Sequence, residues 1–257
     1  MKNPILKLIC LLSVAVLLLS GCSWSSQNMP ETPKTEKAEL KLTTPLSVYG
    51  ELKASDESVI ATYSASFPQF EENSIVAQRI NDVFAIVYDD APIDMDSFFN
   101  HIKTQLGEKW ELKSFAEPFH TITVEYSQIP STEDYICFLS EYIISENESE
   151  SIYPGVSMFL KSTGWSLTYE TLFGDNTHKA TQLLIEQITD WCIANGVPTE
   201  ALYQLNSKFF NGKFGISEQH VFVCFDPYFF STQYDKSITI YLPQSSFMPL
   251  LIEQSHK

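Results

Sequence analysis

An apolar run of 12 residues, Leu8 to Leu19 broken only by Ser13, stands between a basic start (Lys2, Lys7) and the small residues Ser20 and Gly21. This feature decides which part of the chain is left to fold, and in which environment. Twelve helical residues rise about 18 Å, well short of the roughly 30 Å hydrocarbon layer of a bilayer, so a permanent spanning helix is the weaker reading. A short charged segment, a short apolar segment and small residues before a cut are the parts of an export signal. The expectation is a signal peptide over residues 1–21, leaving 236 residues to fold outside the cytoplasm.

Leu19-Ser20-Gly21-Cys22 resembles the bacterial lipobox. That resemblance implies that the Cys22 thiol receives a diacylglycerol and that the peptide is cut just before it. The chain is then held at the cell membrane by its lipid anchor, on the extracytoplasmic side. Each buried methylene contributes about 0.8 kcal/mol, so two or three acyl chains on one residue hold where a single chain barely does. An ordinary secretory signal ending near a cysteine is the alternative. Residues 22–44 are rich in Ser, Thr, Lys, Glu and Pro (Pro30, Pro33, then Pro45) with few large apolar side chains, a composition that cannot bury itself. They read as a flexible tether with a root-mean-square reach of roughly 25 Å.

The chain sets 32 Asp and Glu against 16 Lys and Arg, a net charge of −16. Residues 1–21 carry two lysines and no acid, so the exported part stands at −18. Such a body repels nucleic acid and offers no basic stripe to phosphate. It would attract a cationic protein such as a lysozyme, an effect that salt weakens, although solubility explains the acidity equally well. With 44% apolar and 13% aromatic residues the rest can build a packed core.

Of the five cysteines, Cys10 leaves with the signal and Cys22 is taken by lipid. Cys137 in Tyr-Ile-Cys-Phe-Leu and Cys224 in Val-Phe-Val-Cys-Phe lie in strand-like apolar runs, and Cys192 lies on the apolar stripe of a helix. The expectation is three buried thiols. One disulfide remains open as an alternative, since spacing does not settle connectivity.

Residues 45–257 read as an α+β domain, or as two subdomains of about 45–130 and 131–257. Val59–Phe67 alternates as a first strand. Ser74 caps a helix to about Tyr88, and Asp94 caps a second that stops at Gly107. Strands are expected at Phe119–Tyr126, Tyr135–Ile144, Ser157–Leu160 and Trp165–Tyr169, consecutive and antiparallel. A long helix spans Asn176–Asn195 before Gly196 and Pro198. A shorter helix is expected over about Thr199–Phe209, strands at His220–Phe225 and Ser237–Leu242, and a terminal helix at Phe247–Glu253. Strands mixed with helices, without regular β-α-β alternation, give antiparallel sheets packed against several helices.

No motif for chemistry emerges. The five histidines (His101, His120, His178, His220, His256) are isolated in sequence, so no metal ligand set and no cofactor are expected. His220 and Cys224 are separated by about 13 Å of strand, too far for a nucleophile and its base. Glu146, Glu148 and Glu150 read as a solvated hairpin rather than a weak calcium site, and Asp94 and Asp96 as cap and first-turn charge. The surface candidate is Asp226-Pro227-Tyr228-Phe229-Phe230 with Tyr234. Aromatic rings anchor protein partners and stack on sugars, yet the same rings close a core beneath a turn. Tyr228, Phe229, Phe230 and Tyr234 are therefore the candidate partner-binding residues, with closure of a core as the blander reading.

Three pieces carry a family resemblance: Arg79-Ile80-Asn81 on a helix; Lys161-Ser162-Thr163-Gly164 followed by Leu172-Phe173; and Asp226-Pro227-Tyr228 followed by Ile238-Thr239-Ile240-Tyr241-Leu242-Pro243. In order and spacing they resemble the extracytoplasmic domain shared by the lysozyme-sensing anti-sigma factor RsiV and the amino-terminal part of the peptidoglycan deacetylase PdaC. The likeness covers about Val59 to Leu251; the family places a Gly where Tyr234-Asp235-Lys236 stands here. It implies a non-catalytic binding or sensing module of the cell envelope, with a cationic protein or peptidoglycan as partner. Neither a sigma-factor-holding cytoplasmic segment nor a deacetylase domain is expected in this chain. An envelope enzyme acting on peptidoglycan without a recognisable motif, or a structural lipoprotein, are the other readings.

Overall fold

The computed structural model describes residues 40–89, 95–107, 118, 120–130, 132–146 and 149–252. Cys22, the signal segment, most of the tether, Asp94, Phe119 and Glu148 lie outside them. Alternating side chains make strands β1 (Leu46–Lys53) and β2 (Val59–Phe67), followed by helices α1 (Ile75–Asp89) and α2 (Met95–Leu106). Three long strands come next, β3 (His120–Ile129), β4 (Tyr135–Glu146) and β5 (Ser149–Leu160). Helices α3 (Tyr169–Phe173), α4 (Thr177–Asn195) and α5 (Ser207–Phe210) lead to strands β6 (Phe214–Ile216), β7 (His220–Phe225) and β8 (Ile238–Pro243). The architecture is α+β, with a five-stranded mixed sheet in the order β1-β2-β3-β4-β5 and a three-stranded antiparallel sheet β6-β7-β8.

Several expectations are corrected. Strand β1 was not anticipated, although Leu46, Val48 and Leu52 face inward along it. Strands β2 and β3 pair in parallel because α1 and α2 intervene, which gives the chain time to return in the same direction. Trp165–Tyr169 is not a strand. Only Ser166 bridges to Phe159, and Thr168 then caps α3, its Oγ1 accepting from the Thr171 amide at 3.1 Å. Thr199–Phe209 splits into a 3₁₀ turn (Glu200–Gln204) and α5, and the terminal helix is two 3₁₀ turns, Gln244–Ser246 and Met248–Leu250. Leu40 packs on the core and Leu42 bridges to Phe70, so the folded body begins by Leu40, inside the stretch expected as tether.

Two hydrophobic cores lie on opposite faces of the β4–β5 hairpin. Ile136, Phe138 and Phe159 join Phe84, Phe98 and Ile102 beneath α1 and α2. Tyr135, Cys137, Met158 and Leu160 point the other way, to Leu184 and Ile188 of α4 and to the three-stranded sheet. Period-2 alternation thus buries this hairpin on both sides, each large side chain contributing about 1.5–3 kcal/mol. Among the described residues, no helix is long and apolar enough to cross a membrane.

The residues behind the family resemblance hold this body together. The Asn81 side chain, on α1, accepts from the Phe70 amide (2.8 Å) and donates to the Phe70 carbonyl (2.9 Å). Arg79 donates to the Thr163 carbonyl at 2.9 Å and lies 4.8 Å from the centre of the Trp165 ring. Between them Gly164 (φ +76°) sits so close to α1 that a Cβ would approach the Val76 carbonyl oxygen to 2.6 Å. Lys161 donates to the Thr132 carbonyl at 2.6 Å from the other side of the same turn.

Candidate functional site

The loop after β7 is built on a salt bridge. Lys213 Nζ meets Asp226 Oδ1 at 2.5 Å and donates to the Pro154 carbonyl at 2.6 Å, tying the loop base to the five-stranded sheet. The Phe229 amide donates to the Asp226 carbonyl (3.2 Å), so Pro227 and Tyr228 occupy the centre of a four-residue turn. Tyr228 has φ +64°, a left-handed conformation that disfavours bulky side chains by about 1–2 kcal/mol. It is held there by its amide, which donates to the Tyr234 carbonyl at 2.6 Å. Tyr234 is in turn fastened by its hydroxyl, which donates to the Gly196 carbonyl (3.1 Å) just past α4.

The four aromatic residues expected to meet a partner are divided by this geometry. Phe230 is buried, its ring 4.8 Å from Phe225. Phe229 is half-buried between Phe209 (5.1 Å) and Phe225 (4.9 Å). Tyr234 is half-buried and used as a strut. Tyr228 alone of the four is presented to solvent, 46% exposed. Phe229 and Phe230 are thus the anchor and Tyr228 the display. Sequence reasoning singled out the loop and missed that division, and it missed Tyr203, at 84% the most exposed aromatic among the described residues.

The titratable groups are placed as follows. His178 and His220 are exposed. His120 is buried on β3 directly opposite Glu146 of β4, Nδ1 to Oε1 3.9 Å, with Phe98 edge-on at 5.7 Å. A histidine that looked isolated in sequence thus faces a carboxylate of the neighbouring strand. His256 and the side chain of His101 lie outside the described residues. Cys137, Cys192 and Cys224 are free and buried, and burial pushes their thiols up to about 12, about 11 and about 11. Such thiols are poor nucleophiles. Among the described residues, no three His, Cys, Asp or Glu side chains gather as a metal site.

Under α1 and α2 the sheet carries a row of tyrosines. The hydroxyls of Tyr63 and Tyr142 are buried without a hydrogen-bond partner. Burial raises both phenols, and it lifts Tyr126 to about 12, with Tyr63 as a lesser cause.

No protein-family model and no curated protein matches the chain. Solved structures do. A member of the DUF3298 family from Bacteroides fragilis superposes with a TM-score of 0.59 at 12% identity, covering 84% of this chain and 95% of its own. A DUF3298 family protein from Pseudomonas aeruginosa gives 0.54 at 10% identity, covering 84% and 96%. At these identities the likeness is one of fold, and it spans nearly the whole of both neighbours.

Proposed function

We propose that this chain is a lipid-anchored extracytoplasmic lipoprotein whose domain, akin to those of RsiV and PdaC, is a non-catalytic binding or sensing module. Its ligand is an envelope component, peptidoglycan, or a cationic protein such as a lysozyme. Cys22 would carry the anchor, and residues 23–39 would hold the body clear of the lipid headgroups.

The observation that carries the reading is Tyr228. A large aromatic residue is kept in a left-handed backbone conformation, clamped by the Tyr228–Tyr234 backbone bond and underpinned by Phe229 and Phe230. Strain of this kind persists only where surrounding contacts enforce it, and it concentrates at working surfaces. The ring so presented is of the type that anchors partners at little entropic cost. Acidic character adds long-range attraction for a basic protein.

Two measurements test this. Mass spectrometry of the membrane-extracted chain should show a diacylated Cys22 as its first residue; an unmodified or uncut amino terminus removes the anchor. Calorimetric titration with lysozyme and with soluble peptidoglycan fragments should give saturable binding to one of them, weakened by Tyr228→Ala. Silence toward both leaves only a structural role.

A further inference from the structure

We infer that Arg79 and Trp165 form a second binding site, one that takes the free terminal carboxylate of a short peptide.

Arg79 is the sole arginine among 257 residues, beside 15 lysines. Its guanidinium lies 4.8 Å from the Trp165 ring centre and spends one N–H on the Thr163 carbonyl. Although acids outnumber bases two to one in the chain, none of the described carboxylates forms an ion pair with it. A purely structural role here, one carbonyl to reach and one aromatic face to cover, is open to a lysine. Lys161 performs the first part in the same turn, donating to the Thr132 carbonyl. What arginine adds is a flat fork of five donors that matches a carboxylate with two parallel hydrogen bonds. Four of those donors are not used within the described protein.

The fork is also held still. Gly164 packs so tightly on α1 that the turn and the helix cannot slide past each other, and the cation is fixed on the indole. Partly exposed apolar residues lie close by in the fold. Trp165 is 46% exposed, and Ile75, one helical turn before Arg79, is 55% exposed. A fixed carboxylate receptor with exposed apolar side chains near it fits an anion that carries a small apolar group. A net charge of −16 disfavours polyanions, so the carboxylate belongs on a small carrier of neutral or positive charge. A peptide terminus with small apolar last residues has that chemistry. This site shares no residue with the Tyr228 loop and does not need Cys22 to be lipidated.

The test uses the full chain purified in detergent and titrated with acetyl-Lys-Ala-Ala, followed by calorimetry and by indole fluorescence. Saturable binding is expected, about tenfold weaker or more for the same peptide with a carboxamide terminus. Arg79→Lys should keep the melting temperature, because lysine can still reach Thr163, and should weaken the peptide about tenfold or more. Ile75→Glu alters an exposed residue one helical turn before Arg79, and should abolish binding because its carboxylate competes for the fork and repels the ligand. Equal affinity for acid and amide, undiminished binding by either variant, displacement by inorganic phosphate at matching concentration, or no binding by the native chain would each overturn the assignment. Lysozyme or peptidoglycan binding that survives Arg79→Lys would leave the Tyr228 reading intact while this one failed.

Discussion

Asn81 satisfies both backbone groups of Phe70: its Oδ1 accepts from the Phe70 amide and its Nδ2 donates to the Phe70 carbonyl, in a buried setting where no strand pairs with that residue on the same side. The side chain imitates a strand partner and fastens the exit of β2 to the middle of α1. Asn81→Ala leaves a buried donor and a buried acceptor unpaired, each at about 1–3 kcal/mol. A loss of about 2–5 kcal/mol is expected in urea unfolding. Asn81→Asp keeps the acceptor alone and should lie between alanine and the native chain at neutral pH only if the new charge escapes burial; a loss below 1 kcal/mol for alanine would contradict this account.

Gly164 predicts a second, sharper loss. An alanine there needs a left-handed backbone and meets the Val76 carbonyl oxygen at 2.6 Å, a backbone atom that cannot swing aside. Gly164→Ala should therefore destabilise by about 2–4 kcal/mol and should release Arg79 from the Thr163 carbonyl, changing the Trp165 fluorescence. A melting temperature within a degree of the native value would show that the turn tolerates displacement.

How far the sequence reaches is visible in these same residues. Helices α1 and α4 were legible because each joins an apolar stripe to one end signal: at the start of α1 Ser74 Oγ accepts from the Ala77 amide, and after α4 Gly196 takes the left-handed end with φ +66°. Trp165–Tyr169 misled because its alternation mimics a strand, while the Thr168–Thr171 capping box, a local hydrogen-bond exchange, wins. The His120–Glu146 pairing was not legible, since it depends on the register of β3 against β4, which no local spacing fixes. The aromatic loop was legible as a candidate. Which ring would be displayed was not, because that follows from the sign of one backbone angle at Tyr228.

The tyrosine row predicts a change in the opposite direction. Tyr63 is 1% exposed and its hydroxyl has no partner, so that group gains nothing in the fold to offset its lost hydration. Tyr63→Phe should be neutral or should stabilise by up to about 1–2 kcal/mol, where a hydrogen-bonded tyrosine would be destabilised by the same change. Denaturant midpoints for Tyr63→Phe and Tyr142→Phe decide it, and a clear loss in both would reveal a partner for these hydroxyls.

Alkaline pH acts on the buried thiols and phenols together. Burial raises their folded values, to about 12 for Cys137 and Tyr126 and about 11 for Cys192 and Cys224. Groups whose folded value is raised lend stability that is whole below their unfolded values and is lost as pH climbs toward the folded ones. The window therefore opens near pH 9 for the thiols and near pH 10 for the phenols. Above pH 9 the unfolded thiols ionise first, so the three together forfeit stability on the order of a few kcal/mol. Urea midpoints should fall steeply between pH 9 and pH 11, and the thiols should resist alkylation at pH 8 until the chain is unfolded. Rapid native-state alkylation would mean that these cysteines are not enclosed as described.

Tyr228 permits stability and recognition to be separated in one substitution. Its left-handed backbone disfavours a side chain by about 1–2 kcal/mol, whereas glycine adopts φ +64° freely but has more freedom to lose on folding, about 0.5–1 kcal/mol. Tyr228→Gly should thus leave stability unchanged or raise it by about 1 kcal/mol, because the exposed ring contributes little packing. If the strained display exists for a partner, the same change should weaken that partner's binding by at least tenfold, in the range of an aromatic contact at the centre of an interface. A stabilised variant that binds less well is the signature of strain retained for recognition. A destabilised variant would mean that the Tyr228 ring supports the loop, and unaltered binding would move the partner surface elsewhere.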